Sequence, residues 1–84
     1  MGKELIGKVA HYYNKIGVAI VELQGSLSVG DEISIEGKNT NLQQTVESME
    51  IEHKKVRKAN AGDSIGLKVN DRVREGDAVY KITV

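Results

Sequence analysis

The fold is decided by the stretch Gly30-Asp31-Glu32-Ile33-Ser34-Ile35, in which a Gly-Asp dipeptide opens a run of alternating apolar residues. The pattern returns in Gly62-Asp63-Ser64-Ile65-Gly66-Leu67 and in Gly76-Asp77-Ala78-Val79. Glycine adopts the positive φ that a tight turn needs, and an aspartate side chain bonds the nearby backbone. Apolar residues at every second position are typical of a strand with one buried face. We therefore interpret these dipeptides as structural turns, not as metal ligands: Gly30, Asp31, Gly62, Asp63, Gly76 and Asp77.

Further strands extend on both sides of these turns, and one of them, Val18–Leu23, is an apolar run short enough to be a strand buried on both faces. The pattern predicts about six strands in a small all-β barrel or sandwich, with a hairpin turn at Asn14–Gly17. The predicted strands are Leu5–Tyr13, Val18–Leu23, Asp31–Glu36, Leu42–Glu52, Ser64–Val69 and Ala78–Val84.

The fourth predicted strand, Leu42–Glu52, changes its apolar parity between Val46 and Met49. A bulge or a sharp coil of the strand near Glu47-Ser48 would reconcile the two halves. A helix over residues 43–58 is the alternative, but its apolar residues fit a helical stripe poorly and several are β-branched. The sequence favours a strand here.

Length and composition limit the classes of protein to which the chain can belong. Residues 1–84 are predicted to form a single domain, because so short a chain cannot hold two cores. The absence of cysteine excludes disulfides and thiolate chemistry, and it suits a cytoplasmic protein. We expect no membrane association, because no apolar stretch reaches the length of a signal peptide or a span. Twelve basic and twelve acidic side chains cancel, which leaves room only for a local basic patch.

No sequence pattern predicts catalysis, a metal ion or a cofactor. The histidines His11 and His53 lie in no known nucleophile or ligand spacing. The segment Gly62–Gly66 lacks the lysine and the helix start of a phosphate-binding loop, so no GTP binding is expected. We predict that the chain is not an enzyme.

One cluster of charge stands out, and it comprises His53, Lys54, Lys55, Arg57 and Lys58. On a hairpin, these side chains could present several donors to phosphate oxygens, which makes them candidate nucleic-acid-binding residues. The alternative is a solvated loop whose charge is offset by the glutamates of the preceding strand.

Two adjacent tyrosines, Tyr12 and Tyr13, end the first predicted strand, and alternation would expose one of them. An exposed ring beside basic residues could stack on a nucleic-acid base, so both tyrosines join the candidate site. The alternative is that the ring covers one end of the barrel.

Longer segments resemble the second domain of translational GTPases such as elongation factor Tu. They are Gln24-Gly25-Ser26-Leu27-Ser28-Val29-Gly30-Asp31-Glu32-Ile33-Ser34-Ile35, Val46–Met49, Ala59–Leu67 and Val73–Val79. The match is closer to stand-alone elongation-factor-like proteins. The chain is also similar to the C-terminal barrel of collagenase-like peptidases, through Gln43–Met49 and Gly76–Lys81.

The resemblance implies a closed six-stranded Greek-key β-barrel and a role in translation. The chain would be a non-enzymatic binding module for ribosomal RNA, tRNA or a translation-related protein. It has no GTPase domain, so it would not bind GTP alone. The alternative is a protein-interaction or substrate-recognition barrel that acts in trans with a separate catalytic subunit. The sequence does not specify the oligomeric state.

Overall fold

The computed structural model describes residues 2–83, and over these residues the chain is all-β, with no helix. The all-β prediction is confirmed. The strands are β1 (Gly2–Tyr13), β2 (Val18–Leu23), β3 (Leu27–Ser28), β4 (Glu32–Gly37), β5 (Thr40–Thr45), β6 (Met49–Ile51), β7 (Lys54–Val56), β8 (Lys58–Ala59), β9 (Ser64–Lys68) and β10 (Ala78–Thr83).

The strands form two antiparallel sheets. The larger sheet has eight strands in the order β5-β4-β10-β1-β2-β9-β6-β7, and β3 pairs with β8 in a second sheet. The large sheet ends at β5 on one side and at β7 on the other, so its ladder does not close into the predicted six-stranded barrel. The buried side chain of Gln44 in β5 bonds the end of β9 and the segment that follows it. Its Nε2 donates to the Lys68 carbonyl at 2.9 Å, and its Oε1 accepts from the Asn70 N–H at 2.8 Å.

The predicted fourth strand is two strands in the structure. The β4–β5 ladder runs as far as the Glu32–Thr45 pair, whereas Met49 pairs with Leu67 of β9. The chain therefore changes partner between Val46 and Ser48, and this change of sheet partner is the physical reason for the parity switch. A single bulged strand was the wrong prediction. The last predicted strand extends to Val84, which lies outside the described residues.

One cluster of apolar side chains fills the interior. Alternation along the strands produces it, as in β2, where Ala19, Val21 and Leu23 point inward while Glu22 stays exposed. Burial of an aliphatic side chain of this size contributes roughly 1.5–3 kcal/mol. The largest fully buried side chains are Ile6, Leu27, Ile33, Ile35, Met49, Ile65, Leu67, Val9, Val21, Val46, Val73 and Val79.

Each Gly-Asp dipeptide forms the second half of a four-residue turn of one design. The glycine is the third residue, at φ 99°, 95° or 90°. The aspartate is the fourth, and its N–H donates to the carbonyl of the first residue at 3.0–3.1 Å. Its carboxylate accepts the N–H of that first residue at 2.8–2.9 Å. This combination is that of a type II turn with an aspartate brace. The turns are Ser28–Asp31, Asn60–Asp63 and Arg74–Asp77.

Each turn also holds one buried apolar residue from another part of the chain. The glycine N–H donates to that residue's carbonyl, and the residue's own N–H donates to the aspartate carbonyl, at 2.8–2.9 Å throughout. The held residues are Val46, Leu23 and Val9, and all three belong to the core. The turns therefore join distant segments of the chain, and they do more than reverse its direction.

Candidate binding groove

A groove of about 490 Å³ lies over the outer face of β2, β9 and the β6–β7 hairpin. The strand register fixes its floor. Gly66 of β9 pairs with Ile20 on one side and with Glu50 on the other, and Glu50 pairs with Lys55 of β7. These residues alternate with the core residues of the same strands, so their side chains face outward.

The two sides of the groove differ in chemistry. The apolar wall consists of Tyr13, Ile16, Val18 and Ile20, and Ile16 is 62% exposed at the tip of the β1–β2 hairpin. The charged wall consists of Glu50, Glu52 and Lys55, whereas Lys68 lies on the floor strand β9 opposite Val18. An exposed apolar strip beside charged groups is typical of a binding surface.

The floor of the groove is open because position 66 has no side chain. A Cβ atom there would lie 3.5 Å from Val18 and 4.0 Å from the Glu50 carbonyl, which are ordinary contact distances. Gly66 is also absent from the positive-φ glycines. Neither packing nor backbone conformation therefore requires glycine. Glycine inside a strand often marks a place where a ligand or another backbone approaches closely.

The β6–β7 hairpin, which forms one end of the groove, turns through Glu52 and His53. Both residues have positive φ, at 51° and 66°. Two such residues between the paired Ile51 and Lys54 make a type I′ turn, for which Asn-Gly is the favoured sequence. A left-handed conformation costs a non-glycine residue about 1–2 kcal/mol. The hairpin therefore holds strained backbone beside the groove.

The predicted basic cluster does not lie on one surface. His53 and Lys55 line the groove, whereas Arg57 joins Lys55 beside a second depression on the far side of β7. Lys54 and Lys58 are exposed and line neither depression. Within residues 2–83 no salt bridge involves any of these cations. The solvated-loop alternative stays a prediction, since Glu50 pairs with Lys55 in the register of the hairpin.

The two tyrosines have different surroundings. Tyr12 is half-buried and packs against the core. Tyr13 is 48% exposed, belongs to the apolar wall, and has its ring edge-on to His11 with centroids 4.4 Å apart. The predicted exposure of one ring therefore places Tyr13, and not Tyr12, in the groove.

Other polar contacts lie away from the groove. The Nδ1 of His11 is 2.9 Å from the Glu75 carboxylate. The Lys3 ammonium bonds both oxygens of Glu36 at 2.7 and 2.8 Å, and this contact raises the pKa of Lys3 and lowers that of Glu36. The hydroxyl of Ser34 also donates to Glu36 and lowers its pKa further.

Residues 2–83 hold neither a cluster of metal ligands nor a helix that could cross a membrane. Across this part of the chain, no group of three His, Asp or Glu side chains is arranged to hold a metal ion.

Most residues of the groove were not predicted to belong to a binding site. Val18 and Ile20 were interpreted as a strand buried on both faces, but they are half-exposed on the outer face. Ile16 was part of a turn, and Gly66 part of a repeated motif. The glycine inside the strand was the one available signal. Its meaning required knowledge of which strands lie on either side.

Comparison with known proteins shows what the chain is similar to. No protein-family model matches it. It is 47% identical over 76 residues to an uncharacterized protease of Methanocaldococcus jannaschii, and covers 19% of that protein. It is 38% identical over 81 residues to a collagenase of Porphyromonas gingivalis, and covers 22% of it. The chain thus spans about a fifth of the length of these curated relatives.

A solved structure shares the fold. The C-terminal domain of a U32 peptidase from Geobacillus thermoleovorans superposes with a TM-score of 0.88 at 23% identity. The match covers 95% of this chain and 93% of that domain. At this identity the likeness concerns the fold alone.

These comparisons correct the function predicted from the sequence. The resemblance to collagenase-like peptidases is confirmed, whereas the resemblance to domain II of elongation factor Tu is not shown. The relatives are named protease and collagenase, so the translation-related, RNA-binding module was the wrong prediction. The chain is similar to a segment of proteins that are named protease and collagenase. The misleading signal was the Gly-Asp turn string, which forms three structural turns.

Proposed function

We propose that this chain is a non-catalytic, peptidase-associated domain that binds polypeptide substrate in the groove. Cleavage would be performed by a catalytic unit located in another part of the protein or in another chain. The observation that carries the proposal is an apolar groove with a glycine floor, on a fold shared with the C-terminal domain of a U32 peptidase.

The contacts in the groove support binding without cleavage by this chain. His53 is the histidine of the groove, and the serines Ser48 and Ser64 line it as well. We assign neither serine the role of a nucleophile, which would need a hydrogen bond to His53 as its base. A domain that holds substrate needs no such pair.

The shape and chemistry of the groove favour an extended polypeptide. A backbone can approach Gly66 closely, with its apolar side chains against Val18 and Ile20 and its charged ones against Lys55 or Glu50. The volume of about 490 Å³ lies within the range of about 300–1,000 Å³ that binding pockets occupy.

We further propose that residues 1–84 work as one closed, barrel-like unit. The Gln44 side chain supports this by bonding the backbone of Lys68 and Asn70 across the open side of the sheet. A rigid scaffold of this kind would keep the two walls of the groove at a fixed separation.

The test is a calorimetric titration of the protein with gelatin fragments, chosen because one relative is named a collagenase. The Gly66→Val variant fills the floor of the groove, while its side chain stays outside the core. Gln43→Val is the matched control, since it places the same side chain on an exposed position of β5. We expect binding by the wild type and by Gln43→Val, and its loss in Gly66→Val. Equal binding by Gly66→Val would overturn the groove assignment.

A further inference from the structure

The two ends of the large sheet differ in charge. The edge strand β5 (Thr40–Thr45) carries no ionisable side chain. The edge strand β7 carries Lys54 and Lys55, and Arg57 and Lys58 follow it at once. An edge strand presents unpaired backbone groups that can accept another strand.

The hairpin geometry shows which backbone groups of β7 are free. The two-residue turn closes on the Ile51–Lys54 pair, which in such hairpins exchanges both ladder hydrogen bonds. Because hydrogen-bonded and non-hydrogen-bonded pairs alternate, Glu50–Lys55 is a non-hydrogen-bonded pair. The N–H and C=O of Lys55 therefore point away from β6. Neither group has a backbone partner outside the ladder.

The positive charge on this edge favours an acidic polypeptide segment as the added strand, which is named the visitor below. A strand added to β7 would lie about 4.8 Å from its backbone, and about twice that distance from β6. Glu50 belongs to β6, so it would lie about 10 Å from the visitor, which is about one Debye length at 0.1 M salt. Salt at this concentration therefore weakens its repulsion of the visitor's carboxylates. The cations of β7 and β8, which form no salt bridge within residues 2–83, lie along this edge, and Glu47 lies there as well.

A second depression, of about 240 Å³, lies along the same edge. Its lining includes Val29, Val56 and Arg57, and Val29 is 38% exposed. Glu47 is the acidic residue in the lining. The depression offers a place for one apolar side chain of a strand that runs along β7.

We propose that β7 binds an extended, acidic polypeptide segment by strand addition. The backbone of Lys55 would pair with the visitor, whose pairing ends before Arg57 because the Arg57 carbonyl already accepts the Val29 N–H at 2.9 Å. The side chains of Lys55 and Arg57, which share one face of the strand, would face its carboxylates. Strand addition obtains affinity from main-chain hydrogen bonds and specificity from side-chain pockets. This inference goes beyond the proposed function, because it concerns a second surface and does not require the groove to hold substrate.

The test uses a fluorescein-labelled heptapeptide of alternating Glu and Val, with fluorescence anisotropy at about 0.1 M salt, where the Debye length is about 10 Å. Lys55→Pro removes the free edge N–H, and Lys55→Gln removes the charge alone. Proline is tolerated on an edge strand where its nitrogen faces solvent. We expect Lys55→Pro to bind at least about fivefold more weakly than Lys55→Gln, the factor for one lost hydrogen bond. A thermal melt confirms that both variants fold.

Two further probes on the wild-type protein keep the test decisive. The same peptide with alternate backbone nitrogens methylated keeps its charge but cannot pair, and we expect it not to bind. Equal binding by the methylated peptide, or by an oligouridine of the same charge, would overturn strand addition in favour of a plain polyanion surface. No binding of the parent peptide would mean that the lysines only protect the edge from aggregation.

Failure of this inference and failure of the proposed function are distinguishable. Peptide binding that persists in Gly66→Val, while gelatin binding is lost, supports both surfaces. If the wild-type protein binds gelatin but not the acidic peptide, the groove assignment stands and only the assignment of β7 is overturned.

Discussion

The carboxylate of Asp77 lies directly against Gly37, so that a Cβ atom on residue 37 would stand 1.9 Å from Asp77 Oδ1. Asp77 cannot easily withdraw, because its Oδ2 accepts the Arg74 N–H at 2.8 Å and the residue is buried. The end of β4 is thereby packed onto the third Gly-Asp turn.

Gly37→Ala is predicted to destabilise the protein by about 1–3 kcal/mol, the usual cost of overpacking. Urea unfolding measures this change. Gly66→Ala is the matched control, because its new Cβ would make ordinary contacts. We expect it to stabilise the protein by about 0.5–1 kcal/mol, since alanine loses less backbone entropy than glycine. Equal stability of the Gly37→Ala variant and the wild type would contradict the packing described here.

The aspartate brace of each turn is predicted to depend on its side-chain oxygen. At Asp63, which accepts the Asn60 N–H at 2.8 Å, replacement by alanine should cost about 1 kcal/mol. Asp63→Asn keeps an oxygen in place and should retain most of the stability. Thermal unfolding of the pair separates the hydrogen bond from the charge. If asparagine is as damaging as alanine, the turn depends on the charge instead.

Relief of the strained hairpin is predicted to stabilise the protein. The double variant Glu52→Asn/His53→Gly places the favoured type I′ residues at the two positive-φ positions. A gain of about 1 kcal/mol would raise the Tm by about 4–8 °C in a domain of this size. Differential scanning calorimetry measures it. A lower Tm would mean that the Glu52 and His53 side chains contribute more than the strain costs.

The Lys3–Glu36 pair is predicted to make stability depend on pH at both extremes. The pKa of Glu36 is lowered by the Lys3 ammonium, so its contribution is present above the ordinary glutamate pKa of about 4.3 and is lost as pH falls below it. The pKa of Lys3 is raised by Glu36, so its contribution is lost only above the ordinary lysine pKa of about 10.4.

Urea unfolding at a series of pH values tests this pair. Glu36→Gln should flatten the acid limb of the stability profile, whereas Glu4→Gln, a change of equal charge on the exposed face of β1, should flatten it less. Added salt should reduce the difference, because the pair is exposed. Identical acid limbs for the wild type and Glu36→Gln would show that the pair contributes nothing.

The sequence predicted those features that depend on local chemistry. Gly30 provides the positive φ of its turn, and Asp31 provides the side-chain acceptor. The alternation around Ile33 and Ile35 predicted that both would be in the core, but not that Ser34 between them would be buried as well. The change of partner at Val46 was not predictable, because it depends on Met49 meeting Leu67 from a distant strand. The groove has the same origin, since Gly66 becomes a floor only when Ile20 and Glu50 lie on either side of it.

The functional error also has a physical cause. The Gly-Asp strings served as the signal for a translation factor, yet their glycines and aspartates bond the protein's own backbone at Val9, Leu23 and Val46. A motif that builds a scaffold identifies the scaffold and not its ligand.

The central claim is that the groove holds polypeptide. The most direct measurement is a two-dimensional ¹H–¹⁵N NMR titration of the labelled protein with gelatin fragments. We predict that the shifted amides concentrate at Val18, Ile20, Gly66 and Lys68, and that those of Asn41 and Gln43 on the opposite edge stay in place. Shifts confined to other surfaces, or none at saturating peptide, would contradict the account.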